Sequence, residues 1–139
     1  MKPVLISGKN HHDSRGILTY NNDFDVTLVK RIYLIENKDM VFVRGWQGHK
    51  IEKRWFTVVE GSFKIELIRI DDWENPSKEL DKITFEITSL SADVLHVPEG
   101  YVSSIQATKE ASKLLVMADY KINDIQDEFK FASNYFEII

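Results

Sequence analysis

Apolar and polar residues alternate with a period of two along much of this chain. In "RWFTVVEGSFKIELIRID" (Arg54–Asp71), Phe63, Ile65 and Leu67 alternate with Lys64 and Glu66. That period sends successive side chains to opposite faces of a β-strand. The stretch reads as two strands joined at Glu60-Gly61-Ser62. "VTLVKRIYLIE" (Val26–Glu36) is rich in β-branched and aromatic residues and reads as a strand too. "MVFVRGW" follows after the polar break Asn37-Lys38-Asp39. "DDWENPSKELD" is a turn-rich loop, and "KITFEITSL" alternates again. "VLHVPEGYVSSIQA" is a strand, a Pro-Glu-Gly turn and a second strand, and "KLLVMADY" is the last strong apolar run. The tail from Asp124 to Asn134 is the one segment with room for a short helix. There is no repeat, low-complexity tract or linker, so a single domain over residues 1–139 is expected. Many short strands separated by turn signals predict an all-β sandwich or small barrel.

Composition narrows the chemistry. The chain has 139 residues and a formal net charge of −4, which provides no bulk attraction for nucleic acid. It has no cysteine, which excludes disulfides, thiolate catalysis and Cys-ligated zinc. No apolar run approaches the roughly 20 residues of a membrane span. "MKPVLISGKNHHDSRG" lacks a signal-peptide hydrophobic segment, so a cytoplasmic protein with no membrane partner is expected.

The candidate chemistry centres on "RGWQGHK", Arg44 to Lys50. His49 is the best acid–base candidate, because imidazole titrates near neutral pH. Arg44 and Arg54 flank the turn between two strands, and antiparallel pairing brings both to one pocket mouth. Arginine's planar fork suits phosphate or sugar oxygens. Arg31 and Tyr33 share a face of their strand, with Ile32 and Leu34 on the other. The pattern leaves open which pair lines the interior. Trp46, Trp55 and Trp73 are large enough to stack on a base or sugar, although packing is the commoner use of tryptophan. His11 and His12 lie in a polar segment and read as solvated. His96, beside Val97, reads as a hydrogen-bonded wall residue. Asp71-Asp72 reads as a solvated turn. One histidine in the motif cannot make a metal site alone, so no metal is expected there.

The turns "VEGSF" and "VPEGY" resemble those of a cupin, the double-stranded β-helix or jelly roll. "DSRGIL", "VKRIYLIEN", "VRGWQGHK", "TVVEGSFKIELIRID", "VPEGY" and "LLVMADY" occur in the order found in nucleotide-sugar cupins. Two branches share this layout, the TDP-4-oxo-6-deoxyglucose 3,4-ketoisomerases (WxcM-like) and the dTDP-4-dehydrorhamnose 3,5-epimerases. "VKRIYLIEN" and "KLLVMADY" lean to the first, "VPEGY" to the second. The resemblance implies a homodimeric cupin acting on a dTDP-linked 4-keto-6-deoxyhexose without metal or other cofactor. It implies that Arg15, Arg44 and Arg54 help hold the nucleotide sugar, that Arg31 and Tyr33 line the pocket, and that His49 matches the second histidine of the ketoisomerase pair. Trp46 and Gln47, within the same motif as Arg44, complete the candidate substrate-binding set, and Tyr33 and Tyr101 join His49 as catalytic candidates.

The departures from the pattern are specific. Gln47 stands where both branches carry a histidine, and an amide is neither a useful acid nor a useful base. Ser103 replaces a further family histidine, and Leu115 falls where the epimerases carry a catalytic tyrosine. These changes argue against 3,5-epimerisation. The expectation is therefore metal-independent proton transfer built on His49, in deoxysugar or surface-polysaccharide biosynthesis. The alternative is a cupin that binds a nucleotide sugar and has lost the chemistry. For the interface, "DSRGILTYNNDF" and the aromatic tail "FKFASNYFEII" are plausible material, packing of the tail under its own barrel being the equally simple reading.

Overall fold

The computed structural model describes residues 1–137. Twelve strands follow one another: β1 (Val4–Ile6), β2 (Lys9–Asp13), β3 (Gly16–Tyr20), β4 (Arg31–Ile35), β5 (Arg44–His49), β6 (Arg54–Glu60), β7 (Ser62–Arg69), β8 (Lys82–Thr88), β9 (Val94–Val97), β10 (Tyr101–Ala107), β11 (Lys113–Ala118) and β12 (Phe129–Lys130). They form two five-stranded sheets, ordered β1-β9-β6-β11-β4 and β12-β5-β10-β7-β8, and a separate β2-β3 hairpin. All pairings are antiparallel. This is the cupin jelly roll that the turn motifs anticipate.

The alternation seen in the sequence builds the core. Phe63, Ile65 and Leu67 of β7 are fully buried and meet Phe56, Leu95, Leu114 and Val116 of the opposite sheet. Gly61 turns the chain between β6 and β7 at φ +78°, and a Cβ there would lie 2.1 Å from Ser112 Oγ. Two strands are shorter than their apolar runs suggest. Residues 26–30 and 40–43 lie outside β4 and β5. Val26, Leu28 and Val41 are exposed, so β-propensity there found no partner strand.

The tail differs from the helical option. Residues 124–134 form turns, loop and β12, with no helix among them. Its aromatics decide this. Phe136 is buried edge-on against Trp46, with ring centroids 5.4 Å apart, and Phe131 and Tyr135 pack beside it. Antiparallel pairing of Phe129 with Gly48 and Lys130 with Gln47 fastens the tail to the outer edge of β5. The tail's apolar residues thus cover their own barrel; Ile138 and Ile139 lie outside the described residues.

Candidate active site

The open end of the barrel holds a cavity of about 590 Å³. β4 supplies Arg31 and Tyr33, β5 supplies Arg44, Gln47 and His49, the turn into β6 supplies Glu52, and β6 opens with Arg54. The tail closes one side with Asp127, Glu128 and Lys130. Strand pleating answers the question left open for β4. Arg31 and Tyr33 face the cavity, while Ile32 and Leu34 stand 65% and 62% exposed on the outside of the sheet. Gly48 is explained by packing. A Cβ there would sit 2.3 Å from the Tyr101 carbonyl oxygen of β10, so only glycine lets the two strands approach.

His49 is held in one tautomer. Its Nδ1 lies 2.9 Å from the Asp127 carbonyl oxygen. A carbonyl only accepts, so Nδ1 carries the proton and Nε2 keeps its lone pair. Among the described residues Arg54 Nε is the one buried side-chain polar atom without a partner. The unpaired Nε2 is therefore open to the cavity. Burial, then the positive charge of Arg54, holds the imidazole below its ordinary value of 6.5, against the opposing pull of Glu52 and Asp127. His49 is thus a neutral base at pH 7 with its reactive nitrogen facing the cavity.

The tail and the β5–β6 turn are locked together. The Asp127 carboxylate accepts from the backbone N–H groups of Lys50, Ile51 and Glu52 at 2.9, 2.8 and 2.7 Å. Glu52 Oε2 lies 2.5 Å from Arg54 Nη2 and 3.4 Å from His49 Nδ1. Arg54, 7% exposed, also donates from Nη1 to the Tyr33 hydroxyl oxygen at 2.5 Å. Because Tyr33 accepts that bond, its own O–H is free to donate to a ligand. Arg31 lies over the Tyr33 ring, 4.7 Å from its centroid. Gln47 donates to Glu128.

His49, Glu52 and Asp127 each offer a ligand atom within 4.8 Å of the others. The chemistry does not fit a cation. Asp127 already accepts from three backbone N–H groups, Glu52 is paired with the Arg54 guanidinium, whose charge opposes a divalent ion beside it, and the proton on Nδ1 leaves His49 only Nε2, one ligand where a cation needs several.

The remaining singled-out residues lie elsewhere. Arg15 is at the tip of the β2-β3 hairpin, its side chain 86% exposed and paired with Asp13 at 2.6 Å. Trp46 points away from the main cavity into the aromatic cluster under the tail. Tyr101 is buried at the cavity floor, and its hydroxyl donates to the Met1 carbonyl at 3.2 Å. Ser103 pairs with Gln47 across the β5-β10 ladder. Leu115 sits on the outer face opposite Leu34, away from the cavity. His96 stacks on Trp55 on that same face, at 5.0 Å, as a wall residue. His11 and His12 are exposed on the hairpin.

Glu52, Asp127 and Glu128 escape sequence reasoning. Glu52 and Arg54 are two apart on a strand approach, which hints at a shared face. The acids of the tail carry no local signal, since their partners lie more than seventy residues away.

No curated protein sequence matches the chain. Solved structures do. A 3,4-ketoisomerase from Thermoanaerobacterium thermosaccharolyticum, solved as a double mutant with TDP, is 26% identical over 96% of this chain and 91% of its own, with a TM-score of 0.71. A histidine-to-asparagine mutant of that enzyme, in complex with TDP-4-keto-6-deoxyglucose, matches at 24% identity over 97% and 91% with a TM-score of 0.72. A 4-keto-6-deoxy sugar epimerase from the novobiocin gene cluster of Streptomyces spheroides shares the fold, with a TM-score of 0.76 at 13% identity over 95% of this chain and 70% of its own. The family model described as FdtA: WxcM-like, C-terminal spans residues 1–135, and the chain belongs to that family.

Proposed function

We propose that this protein is a nucleotide-sugar isomerase that moves the keto group of a dTDP-linked 4-keto-6-deoxyhexose by metal-independent proton transfer. The observation that carries this reading is His49, with Nδ1–H tied to the Asp127 carbonyl and Nε2 bare toward a cavity that also presents Tyr33 and Arg54. Membership of the FdtA family and the likeness to ketoisomerases support it.

The steps balance without a co-reactant. His49 Nε2 takes the proton from the carbon that bears a hydroxyl beside the ketone. The C–H electron pair becomes the C=C bond of an enediolate, and the carbonyl oxygen becomes an oxyanion. The free Tyr33 O–H, polarised by Arg54, donates a hydrogen bond to that oxyanion. A proton passes from the neighbouring hydroxyl to the old carbonyl oxygen. Nε2–H then protonates the former carbonyl carbon, and His49 is neutral again. One base serves both carbons, so Gln47 in place of a second histidine does not block this reaction. Gln47, held by Glu128, with Arg31 and Arg44 at the rim, is left to bind sugar and phosphate oxygens.

The test is proton NMR of dTDP-4-keto-6-deoxyglucose with the protein in D2O. Solvent exchange at C3 with a new keto sugar is expected. Binding without exchange would favour the binding-only alternative. The rate should depend on pH through the neutral form of His49. It is expected to fall on the acidic side with a midpoint below 6.5 and to be flat through neutral pH. A midpoint above 6.5 would be incompatible with the buried base described above.

The same reading makes the protein a cytoplasmic homodimer that serves deoxysugar supply for surface polysaccharide. Ile32, Leu34 and Val59 on the outer face of one sheet, and Ile17 and Leu18 on the projecting hairpin, are exposed apolar residues that a second copy would cover. A hairpin seated on a partner could also bring Arg15 to a nucleotide. Light scattering is expected to give twice the chain mass, and Leu34→Glu to yield monomer; a monomeric wild type would remove this part of the proposal.

A further inference from the structure

We propose that Glu52 is a positioning residue for His49, a buried carboxylate set between the imidazole and Arg54 that balances the charge the ring acquires when it takes a proton. The proposal rests on the reading of His49 as the base. Its ground is geometric. Glu52 is 7% exposed, and the same oxygen, Oε2, lies 3.4 Å from His49 Nδ1 and 2.5 Å from Arg54 Nη2.

The two acidic residues beside the ring divide the work. The tail sets the tautomer, because the Nδ1 proton goes to the Asp127 carbonyl. Glu52 supplies the compensating charge. A protonated imidazole at this depth, beside the guanidinium of Arg54, would otherwise be costly. The other carboxylates are committed elsewhere. That of Asp127 faces the N–H groups of Lys50, Ile51 and Glu52, and that of Glu128 faces Gln47. From β10, across the ladder from His49, comes Tyr101, whose hydroxyl is bound to the Met1 carbonyl. A partner for Arg54 alone would have no need to approach the imidazole.

The consequences can be read without substrate. Glu52→Gln keeps the shape and removes the charge. In nitrogen-15 NMR the His49 titration midpoint is expected to fall by about one pH unit, since one unit reflects about 1.4 kcal/mol of lost interaction with the charged form. In turnover the acidic limb should move by the same amount and kcat drop about tenfold with KM little changed. Glu52→Asp should recover part of both. An unchanged midpoint in folded Glu52→Gln would overturn the proposal and leave Glu52 as a partner of Arg54 only. Should that variant fail to fold, the wild type decides. The Glu52 side-chain carboxyl carbon-13 signal is expected to move at the His49 midpoint, and a signal that ignores the imidazole overturns the proposal. These titrations stand apart from activity. Absence of exchange in the wild type would sink the isomerase reading, whereas an uncoupled titration would sink the role of Glu52.

Discussion

His49→Asn is expected to abolish solvent exchange and turnover of the keto sugar while leaving binding within a few-fold of wild type. Asparagine retains an N–H that can donate to the Asp127 carbonyl, so the loop between β5 and β6 should keep its shape. It has no basic nitrogen to take a proton from carbon. Removing a general base costs about 10²–10⁴ in rate, and among the described residues no second imidazole lines the cavity to substitute. Calorimetry with dTDP and the D2O exchange measurement together separate the effects. Exchange retained in the variant would move the base elsewhere, with Tyr33 the next group to change.

Arg54→Met is expected to destabilise the fold by about 3–5 kcal/mol, as breaking a buried ion pair does. The variant strands Glu52, itself buried, without its counter-charge, and takes the donor from the Tyr33 hydroxyl. Urea unfolding would measure the loss. The double variant Glu52→Leu with Arg54→Met should recover most of the stability, because a well-packed apolar pair can replace a buried ionic one at little cost. It should recover none of the activity, since neither the Tyr33 donor nor the charge beside His49 returns. A single variant that unfolds at the wild-type urea concentration would show the pair to be worth no more than a surface salt bridge.

Strand identity was legible in the residues because period-two alternation is a local property. Phe63, Ile65 and Leu67 declare their face whatever lies across from them. Residue chemistry within one short stretch brought out His49, Arg44 and Arg54, and the ordered motifs brought out the family. Apolar runs misled where only β-propensity spoke. Val26, Leu28 and Val41 lie in loops because no strand pairs with them.

Tertiary structure alone decided which face of β4 is the inside. Arg31 and Tyr33 or Ile32 and Leu34 satisfied the alternation equally, and only closure of the two sheets placed the polar pair in the cavity. It also decided the state of His49. The proton on Nδ1 follows from a carbonyl 78 residues away in the chain, and the nearby charge follows from Glu52 folding back toward the ring. Residue type sets what an imidazole can do. Which nitrogen is free to do it depends on contacts that sequence separation hides, because the tail that holds the ring pairs with β5 from the far end of the chain.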